Sequence, residues 1–241
     1  MMIIIMFFAL AVSFSFHEFM HAFVADWLGD DTPRMYGRVT MNPMAHLDPM
    51  GTALLMLVGF GWGKPVRYNP TRLKRFKSRR LMNIMVSLAG VFGNFIIAFL
   101  SMILVSIIMC ATGFATSNPV VDCSLYVTAG MSGKYDVPLY GAVFCWLFYY
   151  TFIFSISLMA FNLLPIPPLD GFHVLEMLLP VKVVYSDGFK KFAHYGPTVL
   201  LVLIIIGDLG HFNLLGTVMN FIEMPAMLFI NTVAGLIGLL G

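Results

Sequence analysis

"FSFHEFMHAFVAD", residues 14–26, places two imidazoles and a carboxylate inside a segment that is otherwise lipid-soluble. His17, Glu18 and His21 sit among Phe, Met, Val and Ala, and the residues before His17 carry no charge. A transmembrane helix needs about 20 mainly apolar residues, and residues 2–28 supply them. On a helix, His17 and His21 are four residues apart and share one face. Two imidazoles so placed can grip one metal ion. H-E-x-x-H is the spacing in which both histidines bind zinc and the glutamate acts as general base. The chain holds six His and three Glu, so shuffling would produce the pattern in roughly 0.2% of chains, and a motif match needs confirming context. The plainer alternative is polar glue between helices. Ionisable groups at membrane depth are costly, however, and mark function by default.

The rest of the chain has the same solvent. Of its 241 residues, 59% are hydrophobic and only 11% charged, against about 25% charge in soluble domains. The mean hydropathy is +0.88. Further apolar runs cover 81–112, 141–164, 192–210 and, with Glu223 and Pro225 inside, 217–240. "GTALLMLVGFGWG", 51–63, is apolar but too short to span, which predicts a re-entrant or interfacial element. "YGRVTMN" (36–42) and "GKPVRYN" (63–69) mix β-branched and aromatic residues with turn formers and read as short strands. The expected fold is an all-α polytopic membrane protein with about five transmembrane helices. A short re-entrant segment and a small membrane-associated β-sheet complete it. One domain fills 1–241, with a catalytic core over about 1–180 and C-terminal helices over about 190–241. The hydrophobic N-terminus lacks a basic n-region and an A-x-A-like cleavage site, so it reads as a retained span.

Charge sets the expected orientation. Of 14 Lys and Arg, eight fall within 64–80. The positive-inside rule then puts residues 29–80 in the cytoplasm and the loop 113–140 outside. A basic loop pressed against a bilayer binds lipid headgroups and not nucleic acid. Cys110, Cys123 and Cys145 show no metal-ligand spacing and no disulfide framework. Cys110 and Cys145 read as core residues, and Cys123 as part of a polar loop.

A catalytic zinc takes three protein ligands and keeps a position open. The third ligand must come from elsewhere: His46, Asp48, Asp170, His173, Glu176, His194 and His211 are the candidates. Asp170 stands out in "FNLLPIPPLDGFHVLE", 161–176, where three prolines and a glycine break the helix. Irregular backbone at membrane depth is tolerated only where it is buried in protein or lines a wet cavity. His46 and Asp48 read as turn formers, His173 and Glu176 as a pair one turn beyond Asp170, and His194 and His211 as interfacial.

The chain resembles the site-2 protease family of intramembrane zinc metalloproteases, in particular its small bacterial members that lack a PDZ domain. The likeness covers roughly residues 10–180. It is carried by H17-E-F-M-H21, "NLLPIPPLDG", "GRVTMNPMAHLDPMGT", "GWGKPVRYNP" and "SLAGVFGNF". The resemblance implies one zinc per chain, held by His17, His21 and Asp170, with Glu18 as catalytic base. It also implies Asn94 near the site; Asn94 and Asn162 are candidates for contacts to the substrate or its oxyanion. The family has Gly-Pro where this chain has Gly90-Val91, a departure that touches helix geometry more than chemistry. The implied activity is hydrolysis of peptide bonds within or near transmembrane segments of membrane protein substrates. The implied location is the cell membrane, multi-pass, with the site toward the cytoplasm. A membrane metal transporter is the rival reading, but it leaves Glu18 without a task. A catalytically silent scaffold of the same fold is a second rival, and it leaves the full set of ligands unexplained.

Overall fold

The computed structural model describes residues 2–51, 63–114, 117–132, 138–209 and 214–239. The expected re-entrant element at 51–63, and His211, lie almost wholly or wholly outside these residues. The described helices are α1 (Met2–Trp27), α2 (Thr32–Met35), α3 (Pro43–His46), α4 (Arg79–Ala111) and α5 (Pro119–Ser132). After these come α6 (Leu139–Asn162), α7 (Asp170–Leu178), α8 (Val181–Val184), α9 (Asp187–Leu209) and α10 (Leu214–Leu239). Among the described residues, four helices are long and apolar enough to cross a membrane: α1, α4, α6 and most of α10. Of the segment 192–210, expected as a fifth span, the described residues 192–209 form the later part of α9, which is not among the four. At 33 residues, α4 is about 50 Å long, more than the ~30 Å hydrocarbon core requires.

Two compact units divide the chain. The first takes residues 1–13, 94–157 and 223–241. Lipid tails are as apolar as leucine, so helices in a bilayer associate through close packing and hydrogen bonds. This unit uses both. The Ser155 hydroxyl donates to Ser13 Oγ at 2.9 Å, and Ser13 donates to the Ala9 carbonyl at 2.9 Å. The Asn231 side chain accepts the Val120 N–H at 3.1 Å. Phe229 stacks between Phe95 and Phe99. The expected polar loop at 113–140 instead holds α5, and Cys123 is fully buried there with its thiol directed at the Cys145 carbonyl. Cys145 is buried as expected, and Cys110 is half-buried.

The second unit takes residues 14–93 and 158–222. Here α1 runs without Gly or Pro until Gly29, whose φ of 109° closes the helix. Asp30 N–H reaches the Ala25 carbonyl and Gly29 N–H the Asp26 carbonyl, the paired bonds of a Schellman terminus. Ala25, Leu28, Leu73, Met82 and Val86 form the core against which α1 and α4 pack. A second core of Leu164, Leu169 and Leu200 anchors the proline-rich turn between α6 and α7.

No sheet forms among the described residues; one isolated antiparallel bridge joins Leu47 and Gly63. The backbone donors of the two expected strands are committed elsewhere. Tyr36, Gly37 and Arg38 donate back into the turn of α2. Lys64 donates to the His46 carbonyl, Val66 to the Glu18 carboxylate and Asn69 to the Asp30 carboxylate, while Pro65 has no N–H to give.

Asp30 is the staple of this arrangement. Fully buried, it accepts the Thr32 N–H and hydroxyl on one oxygen and the Asn69 N–H on the other. Asp30→Ala would strand these donors, at a cost of about 1–3 kcal/mol. Its thermal unfolding midpoint in detergent should fall below that of the native chain. Asp30→Asn, which keeps one acceptor, should fall less.

Candidate active site

One face of α1 and the first turn of α7 meet within the second unit. His17 Nε2 and His21 Nε2 stand 3.0 Å apart, and Asp170 Oδ2 is 3.2 Å from each. Both imidazoles are buried. His21 is oriented from behind: its Nδ1–H donates to the Val86 carbonyl at 2.7 Å. That bond places the ring proton on Nδ1 and turns the Nε2 lone pair toward His17 and Asp170.

Asp170 arrives by a different route. The helix α6 ends at Asn162, and Pro165, Pro167 and Pro168 keep the chain irregular until α7 begins at Asp170. Gly171 lets this turn close. A Cβ there would lie 2.3 Å from the Leu163 carbonyl oxygen.

This donor set fits a zinc ion. Three ligand atoms of a tetrahedron with bonds of ~2.1 Å lie ~3.4 Å apart, close to the 3.0–3.2 Å spacings here. Asp170 Oδ2 is buried, yet no hydrogen bond of ordinary geometry reaches it. Two nitrogens and a carboxylate oxygen are also the donor types of catalytic zinc sites.

The triad opens into a cavity of about 260 Å³ that Glu18, Val66, Tyr68, Ser87, Asn162 and His173 also line. Glu18 is no part of the triangle. Its Oε2 accepts the Val66 N–H at 3.2 Å, which holds the carboxylate beside the ligands. Asn162 donates from its amide to the Leu158 carbonyl at 2.9 Å. Asn94 is fully buried on α4 and falls in the first unit, four residues beyond Gly90.

The other ligand candidates are spent elsewhere. His46 is buried, with Nε2 bonded to the Thr40 carbonyl at 2.8 Å. Asp48 caps the N–H groups of Met50 and Gly51. His173 lines the cavity and faces Glu176 at 3.8 Å. His194 packs edge-on against Tyr195.

Sequence reasoning did not single out Tyr68, Ser87 or the bond from the Val66 N–H to Glu18. Burial pushes the Tyr68 hydroxyl above the ordinary phenol value, so it stays protonated and donates to Asn83 Oδ1 at 3.2 Å. A fourth position acts by lacking a side chain. A Cβ on Gly90 would lie 2.4 Å from His21 Nε2 and 2.5 Å from His17 Cε1, so α4 approaches the imidazoles only because residue 90 is bare.

Comparison with known proteins follows the same line. The model of the family described as Peptidase family M50 matches residues 5–205. YwhC of Bacillus subtilis (strain 168), whose name marks it provisionally as a zinc metalloprotease, is 36% identical over 196 residues. That match covers 81% of this chain and 78% of YwhC. Rip2 of Mycolicibacterium smegmatis (strain ATCC 700084 / mc(2)155), provisionally named a zinc metalloprotease too, is 26% identical over 170 residues. That match covers 68% of this chain and 53% of Rip2. No solved structure matches the chain.

The contact at Gly90 can be tested by metal analysis. Gly90→Ala should push the imidazoles apart and lower the zinc retained per chain after dialysis by at least tenfold, about the loss seen when groups supporting a ligand are removed. Gly188→Ala, where a methyl meets nothing within 4 Å, should retain native zinc.

Proposed function

The chain belongs to peptidase family M50 and is a membrane metalloprotease by that membership; we propose that it is an intramembrane protease of the site-2 type, cutting peptide bonds within or near transmembrane segments of membrane protein substrates. The observation that carries this reading is the triangle of His17, His21 and Asp170 with Glu18 beside it in one cavity.

His17, His21 and Asp170 would hold one zinc ion per chain. When bound, zinc supplies Lewis acidity, polarising a peptide carbonyl and making water a nucleophile at neutral pH. Glu18 does the proton work. It takes a proton from the attacking water on a carboxylate oxygen and returns it to the leaving amine as the C–N bond breaks. The Val66 N–H keeps that carboxylate aimed. Tyr68 and Asn162 offer polar groups to the bound peptide, and Asn94 is a further candidate for the developing oxyanion. The substrate span must unwind at the cut, because a helix ties its scissile carbonyl into its own hydrogen bonds. Its partners are thus a membrane protein or peptide and the bilayer itself.

Turnover and metal binding separate this reading from its rivals. Glu18→Gln should keep native zinc while cleavage of a single-span peptide falls by roughly 10²–10⁴-fold, the usual contribution of a general base. Metal transport or scaffolding would survive that change. Asp170→Ala should lose both zinc and cleavage. A Glu18→Gln protein that cleaves at the native rate removes Glu18 from the chemistry.

We also place the active site toward the cytoplasm, on the strength of the basic run 64–80. Single cysteines at positions 72–80 in an otherwise cysteine-free chain should react with an impermeant maleimide only from the cytoplasmic side. Labelling from outside inverts the topology.

A further inference from the structure

A second cleft, of about 360 Å³, shares the Pro65 wall of the catalytic cavity. Arg38, Lys64 and Arg67 line it, with Tyr36 and Asp48. Among the described residues, none of these three cations makes an ion pair. This sets them apart from their neighbours: Arg34 is paired with Asp26, Arg72 with Asp31, and Arg75 lies over the Trp27 ring. Arg38 donates to the Ala45 carbonyl, a neutral partner. Asp48 is the one acid in the lining and offsets at most one of the three charges; its Oδ1 also accepts the N–H groups of Met50 and Gly51. Arg38 and Lys64 are half-buried. A cleft that holds three cations, two of them partly withdrawn from water, against one carboxylate favours an anion.

The cleft's position identifies the anion. Lys64 and Arg67 flank Val66, whose N–H holds the catalytic Glu18. Extended chain rises about 3.3 Å per residue, so Lys64 stands about 7 Å from Val66 along this segment and Arg67 is adjacent to it. A peptide lying in the catalytic cavity reaches the cleft within a few residues. A lipid phosphate would need no such register with Glu18.

We propose that the cleft lined by Arg38, Lys64 and Arg67 is a specificity subsite for an acidic side chain of the substrate, two to four residues from the scissile bond. This rests on the proteolytic reading above and names a feature of the substrates that reading would admit. A carboxylate there forms charge-assisted hydrogen bonds with the two basic side chains on either side of Val66.

The test uses the full chain, zinc-loaded, in a neutral detergent. Fluorescent single-span peptides carry Asp, Asn or Lys at each position from two to four on either side of the cut. Binding is measured to Glu18→Gln, so it does not depend on turnover; cleavage is measured with the native chain. At one position Asp should bind roughly tenfold tighter than Asn, as hydrogen bonds to charged groups do. The gain should appear in KM and not in kcat. Adding Lys64→Glu and Arg67→Glu together should reverse the order, with Lys above Asp, while zinc per chain stays native. Equal binding of Asp and Asn peptides at every position overturns the proposal. So does a preference for Asp that survives the charge reversal. If the reversal instead weakens all peptides alike, and only in vesicles containing phosphatidylglycerol, the cleft holds a lipid headgroup and the proposal fails. An Asp preference in binding, with no cleavage by the native chain, would keep the subsite and sink the proteolytic reading.

Discussion

Two imidazole nitrogens and a carboxylate oxygen within 3.0–3.2 Å of one another repel unless a cation lies among them. Several separate supports in the second unit hold these three atoms in that relation. His17 and His21 are set by helical spacing alone, since residues four apart share a face. The His21 ring is set by the Val86 carbonyl on α4. Asp170 is set by a turn whose prolines stop α6 and whose glycine lets the backbone close against Leu163. Each support comes from a different part of the chain, so the site exists only when the unit is folded. A metal bound there would add its binding energy to that fold.

The segment 63–69 shows a second constraint. A carboxylate beside a metal site must be aimed, and in a protein the simplest aiming device is a backbone N–H. Val66 supplies it to Glu18, and Asn69 in turn is tied down by Asp30. A strand paired on both edges would have no such donors to spare. The irregularity of this segment is therefore what allows it to serve as a wall of the cavity beside His17, His21 and Asp170.

This explains how much of the molecule could be read beforehand. Four spans follow from apolar run length and the shared face of His17 and His21 from the i, i+4 rule, both local properties of the chain, while Asp170 was marked out only by the prolines before it. The two expected strands did not form a sheet because their donors went to Glu18 and Asp30, tens of residues away, and to the turn of α2. Local composition carries no trace of such partners. Nor did it reveal α5, where a polar-looking stretch buries Cys123 completely. Gly90 is the sharpest case. Its contribution is an absent methyl, and only the distance to the imidazoles gives it meaning.

The two units also differ in the kind of polar group they use. Around Ser13, Ser155, Thr112, Tyr126 and Asn231 the first unit relies on hydroxyls and amides. Such groups are satisfied in pairs or by the carbonyl one turn back, and they ask for no water. The second unit carries the histidines and arginines and most of the carboxylates, including Asp26, Asp30, Glu18 and Asp170. Those groups are costly in lipid and stable where water or a counter-charge can reach them. Hydrolysis consumes water, so a peptidase in a membrane must confine its ionisable groups to a region that admits it. The hydroxyl and amide bonds of the first unit hold its helices together without a counter-charge, which leaves the triangle of His17, His21 and Asp170 and its charged surroundings to the second.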